Sequence, residues 1–519
     1  MSKTYNILLY TLLFVSGPYL LAQESKDTSL LEIEQPKRLE IDLGPHDDYF
    51  TVYTMKDQGI VMFRELEDDK NYKEDTWEII HVDTSLEIKS TRNYTIDARS
   101  ELNGYEIRGN YLYLLYRMGP YQKDDFRILK IEMNSGDVNE YDIKQIVPIT
   151  LSEFTIVGNA ALLGGYVNYR PALIHFDLKE QKIKVLPGIY RNNSELLELN
   201  VDESKNTFNV ILTERTRDRR STLGIKSFNQ AGELLANFQL EPKANSNLLY
   251  GRSTKFDDEH QMVIGTYAVK KSSYARGLYI AKFDAEGQQE ITYFNFGDLK
   301  NFFSYMKARR EARIKQKIER RKIEGKKLRF NYRFLVHNLI EEQDGKYLMI
   351  GEAFYPKYNT NTYNSYFGGY YSRGAGRYQR NLAFEGFKYT HAIVIAFDKS
   401  GNLLYDNSFE INDVLSYDLD QFVNVSVEDD RMVLLYIYEN VIRSKLIQGD
   451  EVLEGKSFNE IALTFEEDVA KTPDSEFGGL ELWYDNKFFA YGVQKIKNLS
   501  SQNVKMNREV FFLNKIQYK

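Results

Sequence analysis

A short apolar run of the chain ends in Phe397-Asp398-Lys399-Ser400-Gly401, where an acid and then a glycine follow the aromatic residue. The same order, with an amide in place of the acid in the first case, recurs in Phe228-Asn229-Gln230-Ala231-Gly232 and in Phe283-Asp284-Ala285-Glu286-Gly287, and weaker copies begin at Val82, Ile131, Phe176, Ile447 and Ile516. Apart from intervals of 114 and 69 residues, neighbouring copies lie 45 to 55 residues apart. This spacing predicts an internal repeat of about 50 residues, with a large addition in the longest interval.

One repeat can be read in full between residues 197 and 240. Apolar residues alternate with other residues over 197–201, 208–212, 223–228 and 236–240, which predicts four short antiparallel strands with one apolar face each. Four such strands per repeat make one blade of a β-propeller. Eight copies predict an all-β fold with eight blades. Seven blades, or two stacked β-sandwiches, are the alternatives.

The two ends of the chain predict how such a ring closes. Residues 38–43 form a candidate strand with no sequence neighbour, and the strand near 511–516 lacks a successor. We expect these two strands to pair within one blade, because their pairing removes exposed sheet edges. The repeat resembles the β-propeller superfamily over residues 37–519. This resemblance implies the fold and leaves the activity open.

The N-terminus has the composition of an export signal. Residues 1–22 combine Lys3, an apolar run from Ile7 to Val15 and the ending Leu20-Leu21-Ala22, which predicts a cleaved signal peptide before a flexible segment at 23–36. The chain has no cysteine, so we expect neither disulfides nor a lipid anchor, and no later segment predicts a transmembrane helix. The composition is similar to that of exported proteins of Bacteroidota. This likeness implies a periplasmic location, with the extracellular space as the alternative.

Positive charge is concentrated in an insertion at residues 297–330. The whole chain has a net charge of −7, but residues 307–329 contain twelve basic and three acidic residues, a local net charge of +9. Good helix formers without glycine or proline over 299–324 predict a helix with a projecting basic surface. Its candidate binding residues are Arg309, Arg313 and Arg320. The alternative is a solvated helix whose charges pair with one another.

A second insertion, at residues 355–388, is rich in tyrosine, glycine and arginine. Tyrosine and arginine are common in binding hot spots because they bury large areas while keeping a polar contact. The candidate partner contacts in this insertion are Tyr363, Tyr366, Tyr370, Arg373 and Arg377. A loop that packs only over its own blades is the alternative.

The order of strands in a blade predicts which residues share a face with the insertions. Loops between second and third strands and links between blades leave the propeller on the same face. The basic residues predicted in such loops are Arg215, Arg217, Arg219, Arg220, Lys270, Lys271 and Arg276. First-to-second-strand turns with Asp202, Asp257, Glu342 and Asp429 should lie on the other face. We therefore expect a disc with one basic and one acidic face, whose field steers acidic partners.

Residue sets typical of enzymes are absent from the sequence. The six histidines do not occur at metal-ligand spacings, and there is no G-x-S-x-G, H-E-x-x-H or phosphate-binding glycine loop. We expect no cofactor, no bound metal and no nucleic-acid partner. With 75 acidic residues in the chain, a catalytic carboxylate pair in the central channel stays open.

These observations predict a non-catalytic scaffold or partner-binding protein of the bacterial cell envelope. Its partner would be an acidic surface of an outer-membrane or other envelope protein. In compartment and shape the chain is similar to a plug-like subunit of the type 9 secretion machinery, a likeness that rests on no diagnostic motif. The alternatives are a glycan hydrolase or lyase that uses channel carboxylates, and a binder of anionic glycan or glycolipid.

Overall fold

The computed structural model describes residues 31–519 except 45–47, 67–72, 99, 120–124, 145–146, 255–259, 271, 285, 327, 329, 331, 338, 343–344, 361–381, 429, 472–477 and 501–504. Over this part of the chain, antiparallel strands form eight separate sheets, each built on four main strands. The sheets follow one another around a ring as the blades of a β-propeller. The prediction of eight blades is confirmed.

The first four blades each consist of four strands in chain order. Their strands are β2 (Thr51–Thr54), β3 (Ile60–Leu66), β4 (Glu74–Val82) and β5 (Ile88–Asp97) in blade 1; β6 (Ser100–Arg108), β7 (Tyr111–Met118), β8 (Phe126–Glu132) and β9 (Val138–Ile143) in blade 2; β10 (Thr150–Val157), β11 (Ala160–Val167), β12 (Arg170–Asp177) and β13 (Lys182–Val185) in blade 3; and β14 (Leu196–Asp202), β15 (Thr207–Arg215), β16 (Ser221–Asn229) and β17 (Leu234–Gln239) in blade 4.

The last four blades include the additions and the closure of the ring. Their strands are β18 (Ser246–Ser253), β19 (His260–Val269), β20 (Gly277–Asp284) and β21 (Gln289–Asn295) in blade 5; β22 (Arg333–Val336), β23 (Ile340–Glu341), β24 (Tyr347–Thr360), β25 (Leu382–Phe397), β26 (Leu403–Glu410) and β27 (Leu415–Ser416) in blade 6; β28 (Asn424–Glu428), β29 (Arg431–Tyr438), β30 (Val441–Gln448) and β31 (Glu451–Glu460) in blade 7; and β32 (Asp468–Ala470), β33 (Gly478–Tyr484), β34 (Lys487–Asn498), β35 (Asn507–Tyr518) and β1 (Ile33–Asp42) in blade 8. The helix α1 (Ala308–Ile323) lies between blades 5 and 6 in the chain.

Each seam between consecutive blades has its own apolar core. In β3, for example, four successive residues are buried: Ile60 and Met62 pack toward blade 8, and Val61 and Phe63 pack toward blade 2. A second strand is therefore covered on both faces, which explains why the apolar runs of this chain are continuous at such strands. Eight such clusters occur among the described residues, one for each seam.

The repeated acid and glycine of the sequence form the turn between the third and fourth strands. Asp398 Oδ1 accepts hydrogen bonds of 2.9 Å from the backbone N–H groups of Ser400 and Asn402. Gly401 has a φ of +81°, a conformation in which a side chain would be strained. Asp83 accepts the equivalent bonds in blade 1. Equivalent bonds are accepted in blades 2 to 5 by Glu132, Asp177, Asn229 and Asp284, so the sequence repeat marks this turn in blades 1 to 6, where a carboxylate or amide binds the turn backbone.

Blade 8 joins the two ends of the chain, as the sequence predicts. Strand β1 pairs antiparallel with β35, with Arg38 opposite Asn514 and Ile41 opposite Phe511. The strand begins at Ile33, so residues 33–36 of the segment predicted to be flexible belong to the sheet. The prediction missed them because the chain bulges between Glu34 and Lys37, which interrupts the alternation of the strand.

Buried ion pairs hold this closing blade together. Arg508 of β35 donates two hydrogen bonds to Asp468 of β32, at 2.6 and 2.9 Å, and two to Glu40 of β1, at 3.0 and 3.3 Å. The side chains of Arg508 and Asp468 are 5% and 0% exposed. Burial raises the pKa of Asp468, but hydrogen bonds from Arg508 and Asn498 outweigh this effect and lower it. The network therefore connects β1, the first strand of the chain, with β35, the last strand, and with β32, where blade 8 begins.

We expect Asp468→Ala to lower the free energy of unfolding by about 3 kcal/mol, because it leaves buried Arg508 with one carboxylate instead of two. Chemical denaturation measures this change. The matched control is Asp42→Ala in the same blade, which removes an ion pair with Lys505 whose side chains are 57% and 71% exposed. That exposed pair should contribute about 1 kcal/mol or less. Equal losses in both variants would show that the buried network does not hold the blade.

Candidate functional site

The strand order gives the disc two distinct faces. Turns between first and second strands and between third and fourth strands leave the blades on one side, here called the turn face. Loops between second and third strands and links between blades leave on the other side, here called the loop face. Arg215, Arg217, Lys270 and Arg276 lie on the loop face, with Arg219 and Arg220, whereas Asp202 and Glu342 lie on the turn face. Lys271, Asp257 and Asp429 lie outside the described residues.

The first insertion fills the seam between blades 5 and 6. Phe302 and Phe303 are fully buried there, in one cluster with Met262 and Ile264 of blade 5 and Met349 of blade 6. The buried carboxylate of Asp406, on the outermost strand of blade 6, accepts 2.8 Å hydrogen bonds from the backbone N–H groups of Lys300 and Asn301. The insertion is therefore fixed to the body of the propeller and does not hang from it.

The helix begins later than the sequence predicts. We expected a helix over 299–324, but residues 299–306 form turns and α1 starts at Ala308. The contacts of Lys300 and Asn301 with Asp406, together with the burial of both phenylalanines, hold these residues in a non-helical path. Helix propensity predicted the later residues correctly and could not predict this tertiary contact.

A buried histidine lies where the insertion meets blade 6. The ring of His391 stacks on that of Tyr305 at 3.8 Å between centroids, and its Nδ1 is 2.9 Å from the hydroxyl of Thr390. Its Nε2 has no hydrogen-bond partner among the described residues. Burial lowers the pKa of His391 from 6.5 to about 3. The contact between insertion and blade thus requires a neutral imidazole.

The helix α1 presents a stripe of unpaired basic side chains. Its acids pair with bases on one side of the helix: Glu311 with Lys315 at 2.6 Å, and Glu319 with Lys322 at 3.7 Å. Ile318 faces the core. The exposed side chains of Arg309, Arg313, Lys317 and Arg320 lie within about 80° of one another around the helix and have no acidic partner in the described part of the chain. Charge pairing within the helix therefore leaves a positive stripe facing solvent.

Hydrogen bonds hold the basic loops of blades 4 and 5 to the neighbouring link and to the segment that follows α1. Arg220 donates a 2.9 Å hydrogen bond to the carbonyl of Lys243 in the next link, and Lys270 N donates to the carbonyl of Asn245 in the same link. Arg276 donates to the carbonyl of Leu328, just after α1. Residues 215–220, Lys270, Arg276 and helix α1 all belong to the loop face of blades 4 to 6, and this set is here called the basic arc. Within it Arg276 holds the insertion in place.

The second insertion begins as an extension of two strands of blade 6. Strands β24 and β25 continue to Thr360 and from Leu382, so the predicted loop is partly a two-stranded ribbon, with Tyr358 opposite Phe384. The exposed side chains of Tyr355, Tyr358 and Phe384 lie on this ribbon, and β27 pairs with its base. Tyr363, Tyr366, Tyr370, Arg373 and Arg377 lie outside the described residues.

Exposed aromatic side chains are concentrated on the loop face. Of the eleven exposed tyrosine and phenylalanine side chains in the described ranges, nine lie in its loops and links: Tyr49, Tyr169, Tyr190, Tyr274, Tyr355, Tyr358, Phe384, Tyr417 and Phe465. The other two, Tyr111 and Phe458, lie at the turn face and on an outer strand. Clustered exposed aromatic residues are typical of a binding surface.

The loop face is not uniformly basic, and this corrects the expectation from the sequence. The links and the loop around blade 7 form an acidic sector, whose exposed members are Asp413, Asp418, Asp420, Glu439, Glu466 and Glu467. These residues could have been found in the sequence by reading the blade-to-blade links as well as the second-to-third-strand loops. The face therefore has a positive side over blades 4 to 6 and a negative side over blade 7.

The central channel contains the carboxyl groups that an enzyme would need. Glu106, Glu153 and Glu198 line a cavity of about 850 Å³ together with Arg108 and Arg252. Burial raises the pKa of all three glutamates, and the nearby arginines lower it less. Two of the three carboxyls already have a cationic neighbour, because Glu106 lies 3.3 Å from Arg108 and Glu198 lies 3.8 Å from Arg252.

Neither a metal-binding cluster nor a membrane-spanning helix is found in the described ranges. No group of three or more histidine, cysteine, aspartate or glutamate side chains there is placed to hold a metal ion. No helix among the described residues is long and apolar enough to cross a membrane.

Comparisons with known proteins add little to this geometry. No protein-family model and no curated protein matches the chain. Among solved structures, it is similar to the polysaccharide lyase Uly1, with 8% identity and a TM-score of 0.38 over 92% of this chain and 100% of that one. A Pyrococcus horikoshii acylaminoacyl peptidase has 11% identity and a TM-score of 0.34 over 79% of this chain and 52% of that one, so the chain spans about half its length. At these scores neither likeness bears on activity.

We expect the fold to lose stability in mild acid through His391. Its folded-state pKa lies below its unfolded value, so the stabilisation is complete above pH 6.5 and is lost as the pH falls toward 3. At about 1.4 kcal/mol per pH unit, the loss by pH 5 is about 2 kcal/mol. In His391→Phe, which keeps an aromatic ring against Tyr305, the fall in unfolding free energy from pH 7.5 to pH 5 should be smaller by that amount. An unchanged pH dependence would contradict this assignment.

Proposed function

We propose that this protein is a non-catalytic binding protein of the bacterial cell envelope that docks a partner on its loop face. The observation that carries the proposal is the coincidence of the basic arc and nine exposed aromatic side chains on one face of a rigid disc. The composition of residues 1–22 and the absence of cysteine support export to the periplasm. An accessory subunit of outer-membrane secretion machinery fits this combination.

The basic arc favours an acidic partner surface. Arg309, Arg313, Lys317 and Arg320 lack acidic partners in the described structure, so their charge is available to a bound surface. Exposed charges of one sign increase association rates and orient the encounter, and they add less to the affinity of the final complex.

The aromatic side chains supply the affinity in this proposal. Tyr355, Tyr358 and Phe384 stand on a paired ribbon whose base is held by β27, so little conformational entropy is lost when they are covered. A tyrosine buried in an interface contributes both apolar area and a hydrogen bond. We propose that the tyrosines and arginines at 363–377 extend the same contact.

A glycan hydrolase or lyase in the channel is the alternative. It would need one of Glu106, Glu153 or Glu198 to act on a sugar within the channel. The pairing of Glu106 with Arg108 and of Glu198 with Arg252 does not favour this alternative. Loss of polysaccharide during incubation with the purified protein would favour the enzyme instead.

Charge reversal of the helix stripe should slow the association with the partner. The variant Arg309→Glu/Arg313→Glu/Arg320→Glu is compared with Lys56→Glu/Lys89→Glu/Lys179→Glu, which reverses three exposed charges on the turn face. We expect the first variant to lose about tenfold in association rate, with a weaker salt dependence, and the second to bind as the wild type does. The measurement uses the partner recovered from native envelopes, in surface-binding kinetics at several salt concentrations. Equal effects of both variants would show that the change in association rate comes from net charge and not from the helix stripe.

Removal of the ribbon aromatics should speed dissociation. We expect Tyr355→Ser/Tyr358→Ser/Phe384→Ser to increase the dissociation rate by tenfold or more, about 1.4 kcal/mol, if these residues are hot spots. Because all three are exposed, the unfolding free energy should change by less than about 1 kcal/mol. The control is Tyr111→Ser, an exposed tyrosine of the turn face. Unchanged dissociation in the triple variant would exclude the ribbon from the interface.

A further inference from the structure

The mouth of the axial channel on the loop face is a second, differently charged cavity. It has a volume of about 700 Å³ and opens beside the acidic sector. The carboxylates of Asp418, Asp420 and Glu481 line it, and its lining includes no lysine or arginine among the described residues. The rings of Tyr49, Phe50, Tyr105, Phe422 and Tyr491 also line it. Aromatic faces and carboxylates both attract organic cations, so the two kinds of wall favour the same ligand.

The carboxyls of this upper cavity have no cationic partner in the described structure. Burial raises the pKa of Glu481, which is opposed only by a 3.0 Å hydrogen bond from Tyr491 Oη to Glu481 Oε1. Burial also raises the pKa of Asp420, and the carboxylates of Asp418 and Glu352 raise it further. Glu481 is a half-buried carboxylate without a counter-charge among the described residues, which is unfavourable, and a bound cation would remove that cost.

The link that carries Asp418 and Asp420 is held in place by hydrogen bonds with blade 6. The fully buried side chain of Glu352 accepts hydrogen bonds from the backbone N–H groups of Phe422, at 3.1 Å, and Val423, at 2.6 Å. The hydroxyl of Tyr389 donates a 2.9 Å hydrogen bond to the carbonyl of Asp420. The cavity wall is therefore preorganised, and a ligand would not have to order it.

The lower cavity of the channel also contains a buried carboxylate, here with arginines beside it. Glu198 is 4% exposed; its Oε2 accepts hydrogen bonds from Ser253 N and Oγ, at 2.9 and 2.7 Å. Its Oε1 receives no hydrogen bond from any described residue and lies 3.8 Å from Arg252 Nη1. That cavity is lined by five glutamates and two arginines, so its formal charge is also negative. Burial raises the pKa of Tyr53, and Glu106 of the lower cavity and Glu481 of the upper cavity raise it further. Tyr53 therefore lies near both cavities.

We propose that the axial channel binds an elongated organic cation with ammonium groups at separate positions, of the linear polyamine type. One ammonium group sits in the upper cavity between Asp420 and Glu481, against the rings of Tyr105 and Tyr491. A second is held in the lower cavity by Glu153 and Glu198. The same chemistry is present in a lysine side chain, which would occupy the upper cavity alone. This site is separate from the basic arc and does not depend on the binding of an acidic partner there.

Titration calorimetry of the protein with spermine tests the proposal. We expect saturable binding of one spermine per chain, weaker by about tenfold in Glu481→Gln and also in Glu198→Gln, because each removes one charge contact. The matched control, Glu286→Gln, removes an exposed carboxylate on the turn face and should bind as the wild type does. Both channel variants should keep the wild-type melting temperature or raise it, since glutamine can accept the bonds of Tyr491 and Ser253. Circular dichroism checks this point.

Further titrations separate the possible sources of the cation. The amide of N-acetyl-lysine is titrated in the same way. If its binding is weakened by Glu481→Gln but not by Glu198→Gln, the upper cavity is assigned to a lysine side chain of a partner. Absence of saturable spermine binding, equal binding by Glu481→Gln, or displacement of spermine by equimolar magnesium would overturn the proposal. Binding of maltohexaose in place of spermine would also overturn it. Because Glu481→Gln leaves the basic arc intact, its effect is distinguishable from a failure of partner docking.

Discussion

The pairing of β1 with β35 is the interaction on which the other seven blades depend. A ring of blades has no exposed sheet faces only when its last blade is complete, and this blade takes its outer strand from the opposite end of the chain. Leu39 and Ile41 of β1 pack in the seam with blade 1, so loss of the strand would expose that apolar core as well as an edge. The buried contacts of Arg508 with Asp468 and Glu40 explain how a contact between such distant segments is maintained against the entropy of closing the ring.

The insertion between blades 5 and 6 uses the same packing rule as the seams. In the other seams, blade packs directly on blade, whereas here Phe296, Phe302, Phe303 and Ile318 join the core between the blades. A helix with a net positive charge would be unstable if it stood alone, but its apolar face is part of a core. The basic stripe is consequently fixed relative to the loops of blades 4 and 5. A fixed charge pattern orients a partner, while a mobile one only attracts it.

Much of the fold could be predicted from the sequence, because its signals are local. In blade 6 the acid and the glycine of the third-to-fourth-strand turn act within five residues, as Asp398 and Gly401 show, and the spacing of such turns gave the blade count. The start of α1 could not be predicted, since it depends on the contacts of Lys300 and Asn301 with Asp406, which lies more than 100 positions after them in the chain. The two cavities of the channel likewise bring together residues of different blades. Glu481 and Asp420 become neighbours only after the ring has closed.

The candidate site shows the same division between local and global information. The positive charge of the helix was evident from composition, and the structure adds that its acids pair on one side only, which leaves Arg309, Arg313 and Arg320 on the other. The acidic sector around blade 7 changes what this charge can do. A uniformly basic face would attract an acidic partner in any rotation about the disc axis. With a negative sector on the same face, a partner that turned its own acids toward Asp418 or Glu439 would be repelled. Two charged sectors and the aromatic ribbon beside them therefore define one orientation of the bound partner, and net charge alone could not.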